Sequence, residues 1–534
     1  MTEKGRRRGV LLFLVIFPTC VLLAMTVWDG GSASAEGLDP PETGDWVIRG
    51  NTVIHSAYIT APGNIIIERG ATVHIINTTL RVNRTEAGQH TLMVENGALL
   101  HVYGGSDLDL DRFVARPESI VNLLDCTIRT TGEMLIHSHD LVAENVTIRN
   151  IAPGGGHDEP GRPAILVLNG SAESEFTRVT IHNRGGNAGS TSPGVNGSRG
   201  GDSKVVSNVS IWRECTIDIR AGNSRGGGLG LTGAPGGTGG EGADAILIMS
   251  CVKLEDMAIE VTASAGGIGV RGSNNPTGNA GHGGDGAIGG NAIVSIDSRT
   301  TLEIDRCQIV TIAGGGGSGG NGGDAIDGDG GDGGLGANGG GATIAITSKL
   351  DMDIARCDLQ AIAGEGGYGG DFGRLEGGIG KFGIPSKGGQ GGEARIEVIS
   401  RQSIELSHFQ ADSKGGSGLD GGGGYDQGEI GGDGGNAVLI VRAHTTLKGN
   451  WVYLNATAGQ GGPGGPAYSD IQGDGGDGGD ALLEYVGLME MRIKFFSFHI
   501  NEGTGGEGNS PIHDGIDGIP TFDLETEVLL ASEG

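Results

Sequence analysis

Aromatic rings are scarce in this chain. Its 534 residues include 11 Phe, 7 Tyr and 4 Trp, an aromatic share of 4%. So few rings weigh against a stacking platform for sugars, and Trp46, Trp212 and Trp451 share no spacing that would place them in one column. Positive charge is short as well: 36 Lys and Arg face 65 Asp and Glu, for a formal net charge of −29. A surface this acidic repels phosphate backbones, which excludes nucleic acid as a partner. Only one apolar run, Val10 to Trp28, approaches the roughly 20 residues that cross a bilayer. Beyond Cys20, the cysteines Cys126, Cys215, Cys251, Cys307 and Cys357 are odd in number and show no C-x-x-C spacing. No glycine run carries the Lys-Ser/Thr or strand–helix context of a phosphate loop, so a nucleotide site is not expected.

What the chain has in excess is glycine, 110 residues, confined to tracts that separate short apolar strands. Between about residues 164 and 503 one unit recurs: two alternating strands, then a tract that is mostly glycine. The strand starts align on Ala245, Ala292, Ala342, Ala394, Ala437 and Ala481, which are 43 to 52 residues apart. A fixed strand length with a variable loop is the mark of a solenoid whose turns stack on one another. In residues 42–160 the repeats are shorter. Ile66 to Leu80 and Met93 to Leu108 match at Gly70-Ala71 and Gly97-Ala98, with alternation typical of half-buried strands. The expected fold is all-β, a parallel β-helix with long glycine-rich insertions at one corner of each coil.

The alignment predicts an inward column of Leu166, Leu247, Val294, Ile344, Ile396, Leu439 and Leu483. Counting back seven residues from each tract's opening glycine gives a second: Cys215, Ile259, Cys307, Cys357, His408, Val452 and Phe496. Cys307 and Cys357 then become coil neighbours, either as a disulfide or as stacked buried thiols. His74 and His101 occupy matching places in their repeats, and His137 and His139 share a strand face. These are read as ladder or surface histidines, since no closed metal site can be assembled around them.

Residues 1–35 read as an export segment. Lys4, Arg6, Arg7 and Arg8 precede the apolar run, and Ala33-Ser34-Ala35 ends it. That pattern makes it a signal peptide or signal anchor, with the rest of the chain outside the cytoplasm, secreted or at the cell surface. Seven glycosylation sequons fit that compartment: Asn77, Asn83, Asn145, Asn169, Asn196, Asn208 and Asn455. The expected organisation is 1–35 leader, 36–160 N-terminal cap and glycine-poor coils, 161–503 coils with glycine-rich insertions, and 504–534 C-terminal cap or tail.

In the tracts glycine often falls in G-G-x triplets, as from Gly314 to Ala342. Glycine at every third place lets extended helices of three residues per turn pack side by side. The tracts resemble the polyglycine bundles of certain phage tail-fibre adhesins and of springtail antifreeze proteins. That resemblance implies a binding or scaffold surface. The abundant Asp, including Asp329 and Asp332, argues against antifreeze action.

The N-terminal half resembles the right-handed β-helices of the pectin-lyase-like superfamily, and its run Gly63 to Ala71 (GNIIIERGA) resembles exported archaeal and bacterial surface proteins. That resemblance implies either a surface protein or a polysaccharide lyase or glycosidase. The polygalacturonase-like pattern fails here. G-H-G (Gly281 to Gly283) and R-I-K (Arg492 to Lys494) lie about 210 residues apart, and neither N-T-D nor D-D occurs. No pair of carboxylates can be named for hydrolysis. Gly319 to Asp327 and Gly475 to Leu483 fit the calcium nonapeptide G-G-x-G-x-D-x-U-x, which makes Asp324, Asp327, Asp477 and Asp480 candidate Ca²⁺ ligands; capping of the strand starts is the alternative for Asp480 and its equivalents.

The sequence therefore points to a non-catalytic structural or adhesive protein. Its partners would be cell-surface glycans or other surface proteins, with membrane contact only through an uncleaved leader. It names no catalytic residue and no cofactor other than Ca²⁺. A polysaccharide-active enzyme and a calcium-dependent binding module stand as alternatives.

Overall fold

The computed structural model describes residues 39–376, 380–468, 471–508, 513–526 and 529–531. The leader expected at 1–35 lies outside them. Residues 41–534 form one compact unit, and of the preceding unit only Asp39 and Pro40 are described.

The described residues contain 34 strands and no helix. Between the two end coils, strands pair in parallel with their counterparts one coil before and one coil after. Coils begin at Trp46, Ile65, Thr91, Arg112, Glu133, Ala164, Ser203, Ala245, Ala292, Ala342, Ala394, Ala437, Ala481 and Pro520. The protein is an all-β parallel solenoid. The strands form because apolar and polar residues alternate: Ala292–Ser298, Ala342–Ser348 and Ala394–Ser400 all bury every second residue.

The first predicted column is present. Leu166, Leu247, Val294, Ile344, Ile396, Leu439 and Leu483 are fully buried and in register. Val205, from a coil the alignment skipped, completes it between Leu166 and Leu247.

Most coils have three strands rather than two, and in the others neighbouring strands run together, as in Ile404–Lys414. In one three-strand coil these are Ala292–Ser298, Leu302–Asp305 and Gln308–Ile312. The last two are separated by Arg306 and Cys307, the first of which lies in the left-handed region. The same place is held by Asp125, Asn145, Arg178, Glu214, Asp256, Arg306, Arg356, His408, Trp451 and Phe495, with φ between 48° and 58°. A bulky residue there costs on the order of 1–3 kcal/mol, sustained by the ladders on both sides.

This bend corrects the second column. Cys215, Met257, Cys307, Cys357, Phe409, Val452 and Phe496 follow the bend residues and share one register line. His408 is the bend residue itself, exposed at φ 51°, and Ile259 lies two positions further along its strand. The marker glycine misled because Ser264 takes the place of the tract-opening glycine in one coil. Its Oγ accepts the Ala243 N–H at 2.7 Å. In another coil Gly415 stands where Ala363 stands in the one before.

The glycine tracts leave the solenoid between the third strand of one coil and the first of the next. They lengthen from 12 residues (152–163) through 18 (185–202) and 24 (221–244) to 29 (263–291 and 313–341) and 31 (363–393). They then shorten to 22 (415–436), 23 (458–480) and 18 (502–519).

Candidate functional site

Each tract runs out and back as two legs, and hydrogen bonds tie the legs with a period of three residues. On the outgoing leg, Gly316, Gly319 and Gly322 donate to Glu365, Tyr368 and Asp371 of the next coil at 2.8–2.9 Å. Gly317, Gly320 and Gly323 donate to Ala287, Gly284 and Gly281 on the return leg of the preceding coil. On the return leg, Gly330, Gly333, Gly336 and Gly339 reach the next coil, while Gly331, Gly334, Ala337 and Gly340 bond back to their own outgoing leg. Two of every three amides are therefore satisfied between legs, in two layers beside the solenoid. The approach leaves no room for side chains. A Cβ on Gly322 would stand 1.8 Å from the Gly331 carbonyl oxygen, and one on Gly340 2.0 Å from that of Gly290.

The third residue of each triplet faces outward, and its amide is satisfied in a different way. Asn, Asp, Ser or His at that place accepts the N–H of the equivalent residue one coil on. Asp329 accepts from Lys381 (2.9 Å), Asp332 from Ile384 (2.8 Å), Asn321 from Asp371 (3.1 Å) and Asn338 from Gln390 (3.0 Å). The carboxylates of the tracts are thus braces for the backbone, the sheet-edge equivalent of a helix cap.

Three of the four candidate calcium ligands, Asp324, Asp477 and Asp480, belong to this system. Asp324 Oδ1 accepts the Arg374 N–H at 2.8 Å, and its other oxygen pairs with Arg271. Asp477 accepts from Ile516 at 2.9 Å and Asp480 from Ile519 at 2.8 Å. Asp327 is exposed near a tract tip. Among the described residues no group of three or more His, Cys, Asp or Glu is arranged to hold a metal ion. His282 of the G-H-G stretch is also a brace, accepting the Asp332 N–H at 3.0 Å. Arg492 to Lys494 lies in the solenoid strand Glu490–Asn501.

The bend residues form a ridge along the solenoid, beside a groove of about 800 Å³. Its charges are largely cancelled in place. Arg306 pairs with Asp256, Glu255 and Asp305, and Arg356 with Asp305. The Arg306 hydrogen bond holds Asp256 below the usual carboxylate range. One carboxyl lining the groove moves the other way: burial raises Asp358, which accepts from Gln360 at 2.9 Å. Further along, the ridge turns aromatic. Trp451 stacks on Phe495 at 4.3 Å and lies 6.2 Å from His408.

The remaining predicted residues are spread over the surface and core. His74 and His101 are register partners stacked at 4.8 Å, with Asn122 Nδ2 3.2 Å from His101 Nδ1. Burial, and secondarily His74, lower His101 to about 4. All five described cysteines are free and buried, and Cys307 is raised by the Cys357 thiol and by burial. Sequon residues Asn77, Asn83, Asn145, Asn196 and Asn208 are exposed. Asn169 and Asn455 are half-buried, with their amides 2.9 Å from His137 and 2.8 Å from Asp412.

Sequence reasoning missed a gathering of Phe372, Phe382, Tyr425 and Tyr468 at the tract tips. Comparison of the chain with family models, with curated proteins and with solved structures finds no match.

Proposed function

We propose that this chain is an exported, non-catalytic solenoid that acts at the cell surface as a rigid structural or adhesive element. In this reading the coils wind right-handed, as crossovers between parallel strands nearly always do, and resemble pectin-lyase-like surface proteins. The tracts pack as polyglycine II helices. The three-residue period of their hydrogen bonds and the sub-2 Å space around glycines such as Gly322 support that packing. The basic, apolar and A-x-A order of residues 1–35 supports export.

The observation that carries the non-catalytic reading is the use made of the tract carboxylates. Asp324, Asp329, Asp332, Asp477 and Asp480 each accept a backbone N–H from the next coil, so the acidic face is spent on holding the bundle together. Hydrolysis or elimination needs carboxylates or bases free to move protons. The test is a product-release assay on anionic polysaccharides such as polygalacturonate, with and without Ca²⁺. Reproducible turnover that an Asp358→Asn variant abolishes would overturn this reading.

A further inference from the structure

At their tips the long tracts converge on a cavity of about 660 Å³, within the range of about 300–1,000 Å³ usual for small-molecule sites. Its wall draws on five successive tracts, from Arg271 in 263–291 to Tyr468 in 458–480. The tips are fixed relative to one another by parallel bridges, Asn275 to Ala325 to Leu375 and Gly424 to Ala467. The site therefore rests on a stitched frame rather than on separate loops.

A chain with so few rings has placed four of them here. Phe372 is buried (9% exposed) and meets Tyr468 edge-on at 6.3 Å and Phe382 at 5.8 Å. Phe382 stacks on Tyr425 at 4.0 Å. Tyr468 is the outermost, 70% exposed, with the Arg374 guanidinium 6.0 Å from its ring centre and 3.2 Å from its hydroxyl. Polar groups on the wall are held in place. Arg271 pairs with Asp324, and Asp371 accepts from the Gly423 N–H at 2.8 Å and the Asn321 amide at 3.2 Å.

An exposed ring beside fixed donors and acceptors is suited to a ligand with one apolar face and a rim of hydroxyls. A pyranose has that form: its axial C–H bonds cover an aromatic face, and its hydroxyls reach guanidinium and carboxylate groups. The charge selects among sugars. Arg271 and Arg374 stand against Asp324, Asp371 and Glu376 on this wall, in a chain of net charge −29. Uronic, sialic or sulfated units would be repelled. We propose that the distal rim of the glycine bundle is a binding site for a neutral hexopyranose segment of a glycan, with Tyr468 as the stacking platform and Arg374 and Asp371 as hydroxyl partners. This deepens the adhesive side of the function proposed above and rests on it.

The test uses the full chain in calorimetry against cello-, manno- and galacto-oligosaccharides, with oligogalacturonate for contrast. At least one neutral series should bind, Tyr468→Ala and Arg374→Ala should each weaken it tenfold or more, and Tyr368→Ala, an exposed tyrosine outside the cavity, should leave it unchanged. Binding of oligogalacturonate alone, no binding of any neutral series, or full binding by Tyr468→Ala would overturn the proposal. Hydrogen exchange on the same samples separates the two readings. Protected tract amides without sugar binding remove this site alone, whereas unprotected tract amides remove the rigid scaffold.

Discussion

Two glycines in one tract, Gly331 and Gly315, should respond in opposite ways to the same added methyl group. In Gly331→Ala the new Cβ would lie 1.9 Å from the Gly281 carbonyl oxygen and 2.9 Å from the Gly323 nitrogen. Ordinary contact begins near 3.4 Å, so the legs must part by about 1.5 Å. Three bonds converge there: Gly331 N–H to Gly323 O (2.9 Å), Gly373 N–H to Gly331 O (2.8 Å) and Gly323 N–H to Gly281 O (2.9 Å). Stretched by that amount none of them survives. At about 1 kcal/mol net each, the loss is ~3 kcal/mol, confined to the bundle. At Gly315 the nearest atom to an added Cβ is Glu365 O at 3.5 Å, which is ordinary contact. Gly315→Ala should therefore be neutral, or stabilise by about 0.4–1 kcal/mol through the unfolded chain. The assay is hydrogen exchange by mass spectrometry over residues 263–393, with thermal unfolding alongside. Gly331→Ala should expose amides in its own tract and in both neighbours while the strands Ala292–Ser298 and Ala342–Ser348 stay protected. Equal exchange in the two variants would refute the packed-leg account.

Other outcomes follow from the braces and the histidine pair. Asp477→Ala removes the acceptor of the Ile516 N–H and should cost about 1 kcal/mol with faster exchange at that amide, while Asp477→Asn keeps an acceptor and should be nearly silent. If Asn proved as damaging as Ala, charge itself would matter, as it does for a calcium ligand, and the bracing account would fail. His101 is neutral in the fold down to about pH 4, whereas the unfolded chain takes up its proton near 6.5. Its folded value is depressed, so stability is intact above about pH 6.5 and declines as pH falls toward 4. Discounted for partial exposure, the decline is ~1–2 kcal/mol. Melting temperatures of His101→Asn should be flatter across that window than those of the unaltered chain, and an identical slope would remove His101 as the cause.

The solenoid was legible because strand alternation and coil spacing are both local signals. Leu247, Val294 and Ile344 could be placed in one column from the alanine that opens each strand, and they stack in that register. The bend at Arg306 and Arg356 was hidden, because a left-handed residue is normally announced by Gly or Asn. Here arginine, tryptophan and phenylalanine occupy it under compulsion from their neighbours. His408 was misplaced for that reason together with the shifted marker at Gly415.

The triplets advertised close packing, but the destination of the third amide could not be read. It depends on which outward residue of one coil meets which amide of the next, a register set by the solenoid. For the tip cavity a signal did exist. Tyr425 and Tyr468 are 43 residues apart, the same step as Ala394 to Ala437, so they occupy equivalent places in successive coils. Their ring partners come from a tract of a different length, and that part lay beyond any spacing argument.

The lengths of the tracts carry a consequence for how such a protein can change. From 12 to 18 to 24 residues, the step is one triplet on each leg. Six residues added at a tip extend both legs by a full turn and keep every donor opposite its acceptor, and the one or two residues that separate 22 from 23 and 29 from 31 leave both legs in register as well. Slippage in a repetitive gene that copies whole triplets in matched pairs thus yields a wider molecule that still folds, and the solenoid beneath does not register the edit. The breadth of the slab and the chemistry of its rim can drift by such steps while the rod that carries them stays the same.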